Sequence, residues 1–536
     1  MQAKQPPQHF DVLIIGAGFA GLHMLHRLRE LGYSARIVEA ASDVGGVWYW
    51  NRYPGARCDV ESLQYSYSFS KELEQDWEWT EKYAAQPEIL RYIQHVAERF
   101  DLRRDIDFNT RISAAWLDEA ANRWQFRTES SATYSAQFCV LATGALSIAR
   151  LPAIPGMASF GGKVYHTGAW PKEPVDFTGL RVGVIGTGSS GIQAIPALAR
   201  QAKQLVVFQR TANFSIPAWN TPLKPEDQQA WKVAYREHRL RAREVGTLYE
   251  FSNKAASQVS ADERTREYER RWRKGGVNFV HAYNDLMVDK SSNDTIAEFV
   301  RSKIKALVKD PEVAESLCPT DHPLGTKRIC VDTGYFETFN RSNVKLVDLK
   351  KTPIVEITPT GIHTTTASHE LDVIVCATGY DALTGAVLNI DIKGQGGRSL
   401  SEKWANGPRT YLGLMTHGFP NLFIITGAGS PAVLVNMVVG IEHHVEWITD
   451  CLQHLRSQSL HRINATPAAE DRWVEHVNQA AHKTLLPLAN SWFLGANIPG
   501  KPRVFMPYVA KIGVYRAECQ QIADRGYEGF ELSTAP

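Results

Sequence analysis

Seven cysteines are scattered through 536 residues, and no two of them form a C-x-x-C pair. That spacing removes a cysteine-built metal site and a close dithiol redox centre. An odd, dispersed set points instead to a reducing cytoplasm. Net charge is equally scarce, because 59 Lys plus Arg face 57 Asp plus Glu for a total of +2. Such a balance supplies no long-range field for nucleic acid or an anionic membrane, so the expected partners are small molecules. The opening MQAKQPPQ lacks a basic stretch followed by an apolar core and a cleavage site, and is read as a short tail before a strand at Phe10 to Ile15. One uncharged run, 419–441, is long enough to span a bilayer. Its interior Thr426-Gly427-Ala428-Gly429-Ser430-Pro431 would leave backbone groups unsatisfied in lipid, so strand, glycine turn and helix in water is the expected reading.

With 44% apolar residues and this length, the chain should fold into two or three domains. Three apolar, β-branched runs each end in a glycine turn: VLIIGAGFAG at 12–21, RVGVIGTGSSG at 181–191 and LDVIVCATGY at 371–380. Each reads as a buried parallel strand reaching its carboxyl end. A fourth, FCVLATG at 138–144, repeats the ATG of the third. Paired strand ends of this kind predict an α/β protein of two interleaved Rossmann-like domains between which the chain crosses twice. From about Pro222 to His322 the sequence turns charged, Trp-containing and Arg-rich without strand-like runs, which predicts a helical insertion. Its basic runs are matched by many acidic residues, so a solvated helix face is preferred to a nucleic-acid patch.

Gly16-Ala17-Gly18-Phe19-Ala20-Gly21 follows a strand and opens an amphipathic helix, and a second strand then ends at Glu39. Glycines there permit a tight turn and close approach of N–H groups to a pyrophosphate, and the acid can accept from a ribose hydroxyl. Gly186-Thr187-Gly188-Ser189-Ser190-Gly191 repeats the arrangement, but Arg210 stands where the first unit has Glu39. An arginine suits a 2′-phosphate that a carboxylate would repel. The first cradle therefore reads as FAD and the second as NADPH, with an ordinary surface cation as the plainer account of Arg210.

Between the cradles, Phe160, Gly162, His166, Trp170 and Pro171 occupy the specified positions of F-x-G-x-x-x-H-x-x-x-W-[PD]. This segment resembles the fingerprint of type I Baeyer–Villiger monooxygenases. The resemblance continues through GGVWYWNRYPGARCDVES at 45–62, GTKR at 325–328, GPRTYLG at 407–413 and SWFLGANIPGKPRVFM at 491–506, and is greatest to the phenylacetone and steroid monooxygenase branch. Ala428 departs from the proline expected in that family's G-P-x-S-P turn, which leaves the stiffness of the turn open. A flavin N- or S-oxygenating monooxygenase is the nearest alternative, and a non-catalytic redox sensor the alternative from another class.

The resemblance implies hydride transfer from NADPH to FAD, reaction with O2 to a flavin C4a-peroxide, and attack on a ketone to give an ester or lactone. Sulfide oxidation is a further expected activity. It implies Arg328 as the fixed cation at the reacting centre and Asp59 as the carboxylate that orients it; a helix N-cap is the plainer role for Asp59. Lys327 would join Arg210 on the 2′-phosphate, Trp492 would contact NADP and the substrate, and His166 would place NADP from the linker. Trp48, Arg57 and Gly46 are expected around the flavin nucleotide. Val60, Leu146, Ser430, Pro431, Ala432, Val433, Leu434 and Met506 are the expected substrate pocket. The corresponding division is 1–146 and 382–536 for FAD, 147–213 and 327–381 for NADPH, and 214–326 for the insertion. The sequence leaves the oligomeric state open, a monomer being compatible with it.

Overall fold

The computed structural model describes residues 8–534, so most of the N-terminal tail lies outside the described residues. The first sheet has the order Asp391–Lys393, Ile112–Asp118, Arg123–Thr128, Thr133–Leu141, Gln8–Ile15, Ala35–Val38, Ile106–Asp107, with Leu422–Ile424 also paired to Thr133–Leu141. The strand Gln8–Ile15 runs parallel to both neighbours, matching Ile14 to Ile37 on one side and to Val140 on the other. Val12, Leu13 and Ile14 are completely buried. That accounts for a continuous apolar run in place of an alternating one.

The second sheet is parallel throughout, in the order Val344–Asp348, Gln204–Gln209, Arg181–Ile185, Val373–Cys376, Lys163–His166. In each sheet the strand that feeds a glycine turn lies where the order of connections reverses, the place at which doubly wound sheets leave a crevice. Each sheet draws strands from two separated parts of the chain, as the repeated ATG ends predict. Helices dominate 225–317, and the strands Ser215–Pro217 and Cys330–Asp332 pair in parallel where this insertion leaves and rejoins the second unit.

The uncharged run forms strand Leu422–Ile424, a turn, and helix Met437–Ser457. No described helix is long and apolar enough to cross a membrane. The turn is closely held despite its alanine. Thr410 Oγ1 donates to the Ala428 carbonyl at 2.6 Å, Trp473 Nε1 to the Gly429 carbonyl at 2.9 Å, and the Gly429 N–H to the Met506 carbonyl at 2.7 Å.

Candidate active site

The two cradles are built alike. Gly16 has φ of +108°, and a Cβ there would stand 2.6 Å from the Ala142 carbonyl oxygen; Gly186 has φ of +107°, with its Cβ 2.5 Å from that of Ala377. The alanine of each ATG thus crosses directly over the first glycine. The third glycine packs the helix back onto the turn, since a Cβ on Gly21 would lie 1.9 Å from the Gly16 oxygen, and one on Gly191 2.3 Å from that of Gly186. Neither Gly18 nor Gly188 caps its helix through a side chain. The first N–H groups of both helices therefore remain available to an anion. A Cβ on Gly188 would meet nothing within 4 Å. These bare, positively polarised turns fit the pyrophosphates of FAD and NADPH.

Glu39 is buried at the end of strand Ala35–Val38, accepting the Ala17 N–H at 2.6 Å and the Ala41 N–H at 2.7 Å. Burial pushes its carboxyl above the ordinary value, and those amides pull it back. Each carboxylate oxygen keeps a second lone pair for a ribose hydroxyl. Gly46, at φ +55°, approaches so closely that its Cβ would meet the Gly18 Cα at 3.0 Å, and Trp48 just beyond donates Nε1–H to the Tyr65 hydroxyl at 3.1 Å. Arg57 is placed differently from expectation. Its guanidinium is engaged by the Glu81 carboxylate and the Tyr83 carbonyl, so the charge is spent on the insertion-facing side of the unit.

At the second cradle, Arg210 is exposed directly after strand Gln204–Gln209. Burial lowers the Lys327 ammonium pKa, opposed by Asp321 and reinforced by Arg210 and Lys350. The field of Arg210 therefore reaches Lys327, although 117 residues separate them in sequence. His166 ends strand Lys163–His166, and its Nδ1 accepts the Gly168 N–H at 2.9 Å while Nε2 lies 3.3 Å from Thr378 Oγ1. Thr378 in turn donates to the Arg150 carbonyl at 2.9 Å. His166 consequently touches both chain crossings, and burial holds its pKa low, which favours the neutral ring.

Between the cradles, Arg328 Nε and Nη2 donate to the two oxygens of Asp59 at 2.6 and 2.8 Å, and Nη1 donates to the Val433 carbonyl at 2.5 Å. Burial opposes the charge, but Asp59 outweighs it and the guanidinium pKa is raised. Three of the five N–H groups are spent in holding the plane, which leaves two to face an oxygen atom.

The Val433 carbonyl links this cation to an apolar cluster that includes Leu146, Ala432, Val433, Leu434, Trp492 and Met506. Six of the sequence-predicted residues thus meet. Ser430 is fully buried beside them, with Oγ donating to the Gly427 carbonyl at 2.7 Å, and Pro431 follows in the same turn. Val60 differs: it packs with Trp48, Cys58 and Tyr65 in the core of the first unit.

Three neighbours escape sequence reasoning. Met287 reaches the apolar cluster from the helical insertion. Tyr249, from the same insertion, has its hydroxyl pKa raised by burial and then by Asp59, with Arg328 opposing. Gln193 bonds both backbone groups of Arg57 from the second unit. None of the three stands in a glycine motif or beside a catalytic one, so no local signal marks them.

Residues 13–272 match the pyridine nucleotide-disulphide oxidoreductase family model. A Baeyer–Villiger monooxygenase of Pseudooceanicola batsensis is 42% identical over 524 residues, covering 97% of this chain and 95% of that one. Phenazine N-monooxygenase PhzNO1 of Lysobacter antibioticus is 40% identical over 534 residues, covering 98% of each. The structure of an oxidised steroid monooxygenase bound to NADP superposes with a TM-score of 0.94 at 53% identity, covering 98% of this chain and all of that one. With the fingerprint, the two cradles and the held arginine already in place, near-full-length identity of this degree shows that the chain belongs to the Baeyer–Villiger monooxygenases.

Proposed function

We propose that this chain uses FAD, NADPH and O2 to insert an oxygen atom beside the carbonyl of aryl, cyclic or steroid-like ketones, giving esters or lactones, with sulfides as further substrates. The observation that carries the reading is Arg328, pinned by Asp59 of the first nucleotide-binding unit and by the carbonyl of Val433, itself a member of an apolar cluster. Bound FAD, reduced by NADPH, supplies the oxygen-activating redox chemistry.

The protein's part is binding and electrostatics. Gly16, Gly18, Gly21, Glu39, Gly46 and Trp48 would hold FAD, while Gly186, Gly188, Ser189, Ser190, Gly191, Arg210, Lys327, Trp492 and His166 would hold NADPH. Arg57 is left out of the flavin set, because its guanidinium is held by the Glu81 carboxylate and the Tyr83 carbonyl and its backbone N–H and carbonyl are both bonded by Gln193. Arg328 keeps a permanent positive charge beside the substrate oxygen, where negative charge grows as the carbonyl carbon becomes tetrahedral. Asp59 fixes the plane of that guanidinium, so little reorganisation accompanies the reaction. Leu146, Ala432, Leu434 and Met506 exclude water around the ketone, which strengthens the arginine's field. The division of the chain stated under sequence analysis, and a cytoplasmic location, belong to the same reading.

NADPH oxidation by the purified FAD-loaded chain should rise on addition of a ketone, and mass analysis should find product 16 mass units heavier. A panel of acetophenone-type, cyclic and steroidal ketones that neither stimulates NADPH oxidation nor yields an ester would reject the assignment. N-oxygenation is a second reading, favoured by the similarity to phenazine N-monooxygenase PhzNO1. An aromatic N-heterocycle in the same panel separates the two.

A further inference from the structure

Asp59 lies in the first nucleotide-binding unit and Arg328 at the start of the returning segment of the second, so the ion pair at the centre of the site spans the seam between them. One other side chain joins the same two units close by. Gln193 is the fifth residue of the helix Ser189–Ala199, at whose N-terminus the second cradle lies. Its Oε1 accepts the Tyr53 hydroxyl at 2.8 Å and the Arg57 N–H at 3.3 Å, and its Nε2 donates to the Arg57 carbonyl at 3.0 Å.

A side-chain amide that bonds both the N–H and the C=O of one residue takes the place of a neighbouring strand. The flanking backbone groups point the other way: the Cys58 N–H donates to the Ala84 carbonyl at 3.2 Å, and the Ala56 carbonyl accepts the Gln86 N–H at 2.9 Å. Residues 56–58 are therefore clamped between their own unit and the cradle helix, and Asp59 follows immediately. Backbone shape reinforces the contact. Tyr53 to Ala56 form a turn closed by the Ala56 N–H to Tyr53 carbonyl bond at 3.0 Å, with Pro54 second and Gly55 third at φ +87°. A Cβ on Gly55 would stand 2.2 Å from the backbone oxygen of Gln193, so the loop meets the helix this closely only because that position is glycine.

We propose that Gln193 is a positioning residue, which sets the spacing between the NADPH-cradle helix and the segment presenting Asp59 and thereby keeps Asp59 in register with Arg328. The inference rests on the assignment of Arg328 given above. Catalytic groups lose effectiveness when their supports shift by fractions of an ångström, and Asp59 directly follows the clamped residues 56–58.

The test uses the full-length FAD-loaded chain with Gln193→Met, which keeps volume but loses the hydrogen bonds to Arg57, and Gln193→Glu, which keeps an acceptor for Tyr53 and the Arg57 N–H. Hydrogen–deuterium exchange of the 53–60 segment, measured without ketone, should be at least ten-fold faster in Gln193→Met, with FAD content unchanged and exchange elsewhere as in wild type. With a responsive ketone, ester formed per NADPH consumed should fall at least three-fold, while the KM for NADPH shifts less than three-fold. Gln193→Glu should lie between the two on both readouts. Wild-type exchange at 53–60, loss of FAD, exchange rising throughout the chain, or wild-type coupling in Gln193→Met would each overturn the proposal. The exchange measurement needs no turnover, so failure of the ketone assignment and failure of the Gln193 tie are read separately.

Discussion

Arg328 and Arg210 carry the same charged group into opposite surroundings. Arg328 is held in a plane by Asp59 and the Val433 carbonyl, whereas Arg210 stands exposed at a strand end with Lys327 in its field. Removing a preorganised donor to developing negative charge costs about 2.7 to 4 kcal/mol, so Arg328→Ala should form ester two to three orders of magnitude more slowly while retaining FAD. Arg328→Lys should recover little, because a compact ammonium cannot satisfy both Asp59 oxygens and the Val433 carbonyl in one plane. Product assay beside flavin absorbance checks both statements, and ester formation at the wild-type rate in Arg328→Ala would remove this residue from the chemistry. Arg210→Ala should raise the NADPH KM about ten-fold and leave that for NADH nearly unchanged, since a charge-assisted bond contributes roughly 1.5 to 3 kcal/mol. An unaltered NADPH/NADH preference would refute its role on the 2′-phosphate.

At the scale of elements, the glycine turns were legible because φ above zero and close backbone approach leave few residue choices, and the strands because burial on both faces demands continuous apolar runs. The helix Met437–Ser457 was legible only in outline. Its apolar run gives no hint that Glu442, His443 and His444 are buried within it. Their partners come from distant sequence: Glu442 accepts the Ser68 N–H and hydroxyl, each at 2.5 Å, and His444 Nδ1 accepts the Thr426 N–H at 2.9 Å with Nε2 facing the Tyr515 hydroxyl at 2.9 Å. Burial lowers the pKa of His444 to about 3, and burial followed by the charges of His26, Arg27 and Arg243 lowers that of His23, on the adjoining helix Phe19–Glu30, to about 3. Unfolded histidine takes a proton near pH 6.5, so each ring contributes stability above that value that is lost as pH falls toward 3, at up to about 1.4 kcal/mol per pH unit. Melting temperature should therefore drop between pH 7 and pH 5, and His444→Gln should flatten the drop, because an amide can bond Thr426 and Tyr515 without titrating. Parallel Tm–pH curves for wild type and His444→Gln would contradict this account.

Across the whole molecule, the interleaved architecture was visible from the two ATG strand ends, whereas contacts made by the insertion and across the seam were not. Tyr249, Met287 and Gln193 reach the site through contacts between elements far apart in sequence, and pairings of that range leave no periodicity or spacing to read. The same holds for the segment 491–506, whose Trp492 and Met506 were assigned by resemblance but whose anchoring appears only in three dimensions. That segment is tied to the second crossing of the chain. Asn497 Nδ2 donates to the Tyr380 carbonyl at 2.7 Å, and Lys501 Nζ donates to Asp381 Oδ1 at 2.6 Å and to the Ala382 carbonyl at 2.9 Å. Lys501 and Asp381 are only 12% and 13% exposed, so their pair is shielded from the screening that makes surface ion pairs weak. Arg150, from the first crossing, lies 3.4 Å from the same carboxylate and would keep it partly paired if Lys501 were lost. Lys501→Met should consequently leave the global fold intact and loosen one segment, at a local cost of about 1 to 3 kcal/mol. Limited proteolysis should cut between 495 and 503 at least five-fold faster in that variant, and the ketone KM should rise because Trp492 and Met506 are no longer held against Leu146 and Ala432. Wild-type resistance to proteolysis together with an unchanged ketone KM would show that the segment is fixed by its apolar contacts alone, and that the ion pair at the crossing does not govern the pocket.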